Sequence, residues 1–204
     1  MKFALESYKN IDKSTNLLFT ESNTFKVLHF NNLTTNTELF QCQLKNNCIQ
    51  LYFCNYNECK VAFNFEHCAI NLTADNSSMV YFKDEQMNVL FNLPPESELL
   101  VVLISIEYFH SLFSIDGTVL FNYNSLKGEN PIIEPKETTT NIKLIINQLI
   151  TKQANETLRP IFIKGKIYEL LSYYFSKPSE NNNESCPYIA TEETIKKLKH
   201  AKQL

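Results

Sequence analysis

Between Phe25 and Ile104 short apolar runs alternate with polar punctuation, at the spacing of strands rather than helices. Phe25-Lys26-Val27-Leu28-His29-Phe30 reads as β-like, followed by Glu38–Leu44 and by Ile49–Cys54, where Ile49, Leu51 and Phe53 share a face. Lys60–Glu66 alternates, which predicts Val61, Phe63 and Phe65 inward with Asn64 and Glu66 outward. Further strands are predicted at Cys68–Leu72, Met79–Phe82, Met87–Leu93 and Leu99–Ile104, separated by Asn, Asp and Pro clusters such as Asn55-Tyr56-Asn57 and Pro94-Pro95. Many short strands with regular turn signals predict a sandwich or barrel. Residues 1–24 are polar around Leu17-Leu18-Phe19 and predict an irregular arm or one edge strand.

The period changes after Ile104. Ser105 is placed to cap a short helix, Ile106–Phe113, its hydroxyl taking an amide of the first turn. Residues 114–137, with Gly117, Gly128, Pro131 and Pro135, predict a loop. A helix is predicted from Thr138–Thr140 to near Asn155, where Ile142, Ile145, Ile146, Leu149 and Ile150 form a one-sided stripe. Another runs from near Arg159 to Ser176, with Ile163, Ile167, Leu170, Leu171, Tyr174 and Phe175 on one face and Pro160 in its first turn. Pro178–Pro187 reads as a polar linker. Beyond it Ile195, Leu198, Ala201 and Leu204 keep helical spacing to the last residue without a stop signal, so a further domain is expected after Leu204.

Composition narrows the function classes. A hydrophobic fraction of 44% and an aromatic fraction of 12% can fill a core. The net charge is −3, and Arg159 is the only Arg among 19 basic residues, so strong nucleic-acid binding by this chain is not expected. There is no long apolar run and the N-terminus lacks a signal-peptide pattern, which predicts a cytoplasmic protein with no membrane partner. In that compartment Cys42, Cys48, Cys54, Cys59, Cys68 and Cys186 are expected to be reduced thiols; five fall in one strand-rich stretch with no C-x-x-C pair and read as small buried hydrophobes on strands, the other reading being a metal or redox cluster.

The three Gly are too scattered for a P-loop or G-x-G-x-x-G, and no Ser-centred elbow exists, so no enzyme is expected. His29, His67, His110 and His200 include no H-x-H pair, and His67 and Cys68, adjacent on a strand, point to opposite faces; no metal and no cofactor is expected. His67 reads as a turn or surface residue and His110 as a solvated or capping one. The aromatic set Tyr52, Phe53, Phe63, Phe65, Tyr81, Phe82 and Phe91 either fills the barrel, as side chains usually do in small barrels, or lines a cavity. In the cavity reading the ligand-binding candidates are Tyr52, Phe63, Tyr81 and Phe91, with Lys60 as a further polar anchor.

Leu100–Phe109, a strand running into a capped helix, resembles the end of the sensor barrel in AraC/XylS-type bacterial transcription regulators. Lys164-Gly165-Lys166-Ile167-Tyr168-Glu169-Leu170-Leu171 is similar to the K-x-x-E-L-L helix before that family's linker, and Ile189–Leu204 resembles the entry helix of its DNA-binding domain. The texture is closest to the subgroup containing pyochelin-type siderophore regulators. The resemblance implies a mainly β then α chain: a cupin-like jelly-roll barrel for an effector (1–115), a two-helix dimerisation unit (116–177), a linker (178–190) and the first helix of a DNA-binding domain (191–204). It implies an unidentified small-molecule effector, a homodimer formed through Ile142, Ile145, Ile146 and Leu149, and DNA contact only through a C-terminal domain beyond this chain. The competing expectation is a stand-alone cupin-like small-molecule-binding protein or non-metal enzyme.

Overall fold

An eight-residue run with no exposed side chain, Glu98-Leu99-Leu100-Val101-Val102-Leu103-Ile104-Ser105, sits at the centre of the architecture. Successive side chains of a strand point to opposite faces, so a strand buried throughout must be covered on both sides. The computed structural model describes residues 15–21, 24–45, 48–64, 68–82, 86–113, 132–151 and 155–176. The chain divides into two compact units, Met1–Tyr174 and Phe175–Leu204. The account below concerns the first. The linker and terminal helix expected at 178–204 lie outside the described residues.

The elements, in order, are β1 (Thr15–Glu21), β2 (Phe25–Asn31), β3 (Glu38–Lys45), β4 (Cys48–Tyr56), β5 (Glu58–Phe63), β6 (Cys68–Thr73), β7 (Asn76–Tyr81), β8 (Gln86–Leu93), β9 (Glu98–Ser105), α1 (Ile106–Phe113), β10 (Ile132–Glu137), α2 (Thr140–Thr151) and α3 (Arg159–Phe175). They build a six-stranded sheet, β1-β2-β9-β4-β7-β10, and a four-stranded sheet, β3-β8-β5-β6, with antiparallel neighbours throughout. The two sheets face each other across a shared core. Leu99, Val101 and Leu103 of β9 join Leu28, Phe30, Tyr52, Phe63, Phe91 and others in the core between them. Phe30 meets Phe91 across the sheets, ring centroids 4.5 Å apart.

A second apolar layer lies on the outer face of the six-stranded sheet. Val27, Leu51, Leu100, Val102 and Ile104 are buried there, as are Ile142, Ile145, Ile146 and Leu149 of α2 and Ile163, Ile167, Leu170, Leu171 and Tyr174 of α3. Tyr174 packs edge-on to Phe53 at 5.7 Å, and Phe25 stacks on Tyr108 of α1 at 6.2 Å and meets Tyr168 of α3 at 6.5 Å. Ser105 caps α1 as expected, its Oγ accepting from Tyr108 N at 3.1 Å.

Two local expectations need correction. Residues 132–137 form an edge strand on β7 rather than loop; Pro135 is tolerated there because an edge position spares the missing N–H a ladder partner. β5 ends at Phe63, because Asn64 turns into the left-handed region (φ 47°) and trades hydrogen bonds with Asn88; Phe65 and His67 lie outside the described residues. The stripe Ile142, Ile145, Ile146 and Leu149, expected as a dimer seam, is buried within the single chain. These side chains are 0–4% exposed within the single chain, because the sheet's outer face needs an apolar cover.

The direction of α2 is checked by two truncations measured by urea unfolding. Ile145→Ala should cost about 2–5 kcal/mol, as large-to-small core changes do, whereas Leu144→Ala, at a position 55% exposed, should stay within about 0.5 kcal/mol. Equal costs would mean that the helix face has been assigned wrongly.

Candidate functional site

Polar side chains are rare inside the barrel, and those present gather near one end. Lys26 on β2 pairs in register with Leu103 on β9, Leu103 with Gln50 on β4, and Gln50 with Val80 on β7. Leu103 and Val80 belong to the interior core, so Lys26 and Gln50 share the interior face with them. Lys26 is 8% exposed and Gln50 2%. The Tyr52 hydroxyl donates to Gln50 Oε1, and Gln50 also hydrogen-bonds the Cys48 thiol. Burial lowers the Lys26 ammonium below its usual range. Burial pushes Cys42 and Cys48 up to about 12, so both are neutral thiols at physiological pH.

The expected ligand-binding residues divide against this frame. Tyr52, Phe63 and Phe91 come together: Tyr52 meets Phe63 at 5.9 Å and Phe91 at 6.5 Å, and all three are almost fully buried. Tyr81 lies between the core residues Val80 and Phe82, so strand alternation turns it to the other face, where it is half-buried. Lys60 is exposed, on β5 between buried Cys59 and Val61. Sequence reasoning passed over Lys26. The available signal was a charged residue inside the continuous apolar run of β2, a strand covered on both faces.

The opposite end of the barrel carries a second polar group. His29 Nε2 donates to Glu98 Oε1 at 2.8 Å, and Asn55 Nδ2 donates to Glu98 Oε2 at 2.6 Å. His29 and Glu98 are only 6% and 7% exposed. Burial alone would raise the Glu98 carboxyl, but the hydrogen bonds from His29 and Asn55 and the His29 charge outweigh it and hold the group below its ordinary value. Above them lies an open cleft of about 360 Å³ lined by Asn31, Leu33, Tyr56, Asn57, Glu96 and Glu98. Asn57 and Glu96 both adopt positive φ (56° and 58°), and Asn57 Nδ2 donates to the carbonyls of Pro95 and Glu96, tying the two turns that form its rim. Buried Asn32 bonds the carbonyls of Asn36 and Leu93 and holds the adjoining loop. Among the described residues no three His, Cys, Asp or Glu converge as metal ligands would.

No protein-family profile matches the chain, and no curated protein sequence does. Several solved structures are similar to parts of the chain. An apo ToxT variant from Vibrio cholerae superposes with TM-score 0.46 at 14% identity, over 81% of this chain and 62% of that one. ToxT from Vibrio cholerae O395 bound to (E)-4-(8-methylnaphthalen-1-yl)but-3-enoic acid gives 0.44 at 17% identity, over 76% and 59%. The cupin domain of Schizosaccharomyces pombe Cnp3 gives 0.34 at 13%, over 50% and 66%. ToxT is an AraC-family regulator. This chain spans about three fifths of the length of those ToxT chains (62% and 59%).

The depressed Glu98 carboxyl has a pH signature. A group with a lowered folded-state pKa stabilises the fold above the ordinary carboxylate range and loses that contribution as pH falls through the folded value. Glu98→Gln should therefore lower Tm most at neutral pH, with the gap to wild type closing as the pH drops below about 4. A gap independent of pH would show that the ionised carboxylate contributes nothing.

Proposed function

We propose that this chain is the effector-binding and dimerising region of an AraC-type transcription regulator, and that its effector is an apolar molecule ending in a carboxylate or similar anion. The observation that carries the reading is the interior row Lys26–Gln50 with the Tyr52 hydroxyl, set beside the aromatic floor of Phe63 and Phe91. A ligand site is mostly apolar wall with a few placed polar groups. A buried ammonium beside an amide and a phenol favours an anion over a neutral headgroup, through a charge-assisted hydrogen bond. The ligands named in two ToxT structures, an unsaturated fatty acid and an arylbutenoic acid, belong to ToxT. Lys26 is what brings a carboxylate to this chain. The regulator role is supported by the resemblance of Lys164–Leu171 and Ile189–Leu204 to the family's helices.

Palmitoleic acid is a suitable probe. The acid should raise the Tm of the wild type and its methyl ester should not, while Lys26→Met should weaken binding of the acid about tenfold or more, the loss of one charge-assisted hydrogen bond of about 1.5–3 kcal/mol. Folded Lys26→Met that binds acid and ester as the wild type does would remove the anion site.

A regulator that reads paired half-sites works as a dimer. With the α2 stripe turned inward, the pairing surface falls to the outward residues Leu144, Leu158 and Ile161, which are 55%, 57% and 69% exposed. Leu144→Glu together with Ile161→Glu should convert a sedimenting dimer to a folded monomer; a wild-type chain that is monomeric at tens of micromolar excludes this pairing.

A further inference from the structure

The Cys54 and Cys59 thiols lie 3.2 Å apart, on either side of the turn that carries the chain from β4 in one sheet to β5 in the other. Both are free and buried, at 3% and 2% exposure. Their surroundings differ from those of the other barrel thiols. Cys54 Sγ donates toward the carbonyls of Tyr56 at 3.2 Å and Asn57 at 3.5 Å, and Cys59 Sγ lies 4.0 Å from the Glu98 carbonyl. Tyr56, Asn57 and Glu98 also line the cleft described above, so both thiols contact backbone of its wall residues.

We propose that Cys54 and Cys59 form a redox-active dithiol, closing to an intramolecular disulfide when a small peroxide enters through this cleft. The chemistry balances with hydrogen peroxide as oxidant. The Cys59 thiolate attacks one peroxide oxygen, the O–O bond breaks and hydroxide leaves, giving a sulfenic acid. Cys54 sulfur then attacks the Cys59 sulfur, the S–S bond forms, the S–O bond breaks, and the hydroxyl departs as water. Two thiols and one peroxide yield one disulfide and two waters.

The environment assigns the roles. The hydrogen bond from Cys54 lowers the Cys59 thiol, with Ser97 assisting, against burial and the charges of Glu58 and Glu98. The same contact with Cys59, together with burial, raises Cys54. Cys59 is thus the attacking sulfur and Cys54 the resolving one. Closure from 3.2 Å to the ~2.05 Å of a disulfide needs a small approach. It removes the Cys54 S–H beside a turn where Asn57 already sits at φ 56°. Oxidation thereby acts on the cleft wall and links the two sheets at their junction. The inference stands independently of any effector in the barrel.

The test uses the full 204-residue chain, treated with hydrogen peroxide, quenched with an alkylating agent and mapped by peptide mass spectrometry. The expected result is a Cys54–Cys59 linkage in most chains, opened again by dithiothreitol, while Cys42 and Cys48 remain unoxidised under the same treatment. In Cys54→Ser, Cys59 should be trapped as a sulfenic acid by dimedone at least about tenfold faster than Cys42. Folded wild type that instead accumulates sulfinic acid at Cys59, links other cysteines first, or oxidises Cys42 as fast as Cys59 overturns the proposal.

Discussion

Burial of the six-stranded sheet on both faces is the constraint on which the rest of the structure depends. Its central strand β9 has no solvent side: Leu99, Val101 and Leu103 belong to the barrel interior, and Leu100, Val102 and Ile104 lie in the outer layer. Each such side chain withdrawn from water contributes about 1.5–3 kcal/mol, so an uncovered outer face would expose a large apolar area. The stripes of α2 and α3 supply the cover. The helices share one compact unit with the strands, Met1–Tyr174, and their buried residues are part of the barrel's own packing.

The same constraint makes every polar group inside costly unless it finds partners. The polar groups are accordingly few and organised. At one end Lys26, Gln50, Tyr52 and Cys48 make a small polar headpiece among aromatic rings. At the other, His29, Asn55 and Glu98 satisfy one another beneath the cleft. The two ends are chemically distinct: a lysine, an amide and a phenol inside one, and a carboxylate with two thiols near the open rim of the other. Side-chain packing of Phe30, Tyr52, Phe63 and Phe91 joins the two through the middle of the core.

Much of this was legible in the residues alone. The apolar period placed the strands from β2 to β9 within a few residues, because side-chain alternation is a local property that needs no partner to be read. Ser105 marked the start of α1 for the same reason: a cap bonds an amide three residues away. The stripes on α2 and α3 were visible as stripes, and Tyr52, Phe63 and Phe91 as inward aromatics. What lay against those stripes was not visible, since a helix face shows its polarity in sequence but not whether a sheet or a second chain covers it.

Tertiary structure decided the remainder. β10 exists because the edge of β7 was open to residues 132–137, a pairing between segments about fifty residues apart that Pro135 obscured. Lys26 and Gln50 became a pair only through the register of both strands with β9, and register between distant strands is set by packing of the whole barrel. Cys54 and Cys59 have no recognisable spacing in the sequence. They meet because a left-handed Asn57 reverses the chain between two sheets. Periodicity, capping and composition act over one or a few turns of chain and were determined by the sequence itself. The convergence of side chains into sites depends on strand order and register, which only the folded barrel supplies.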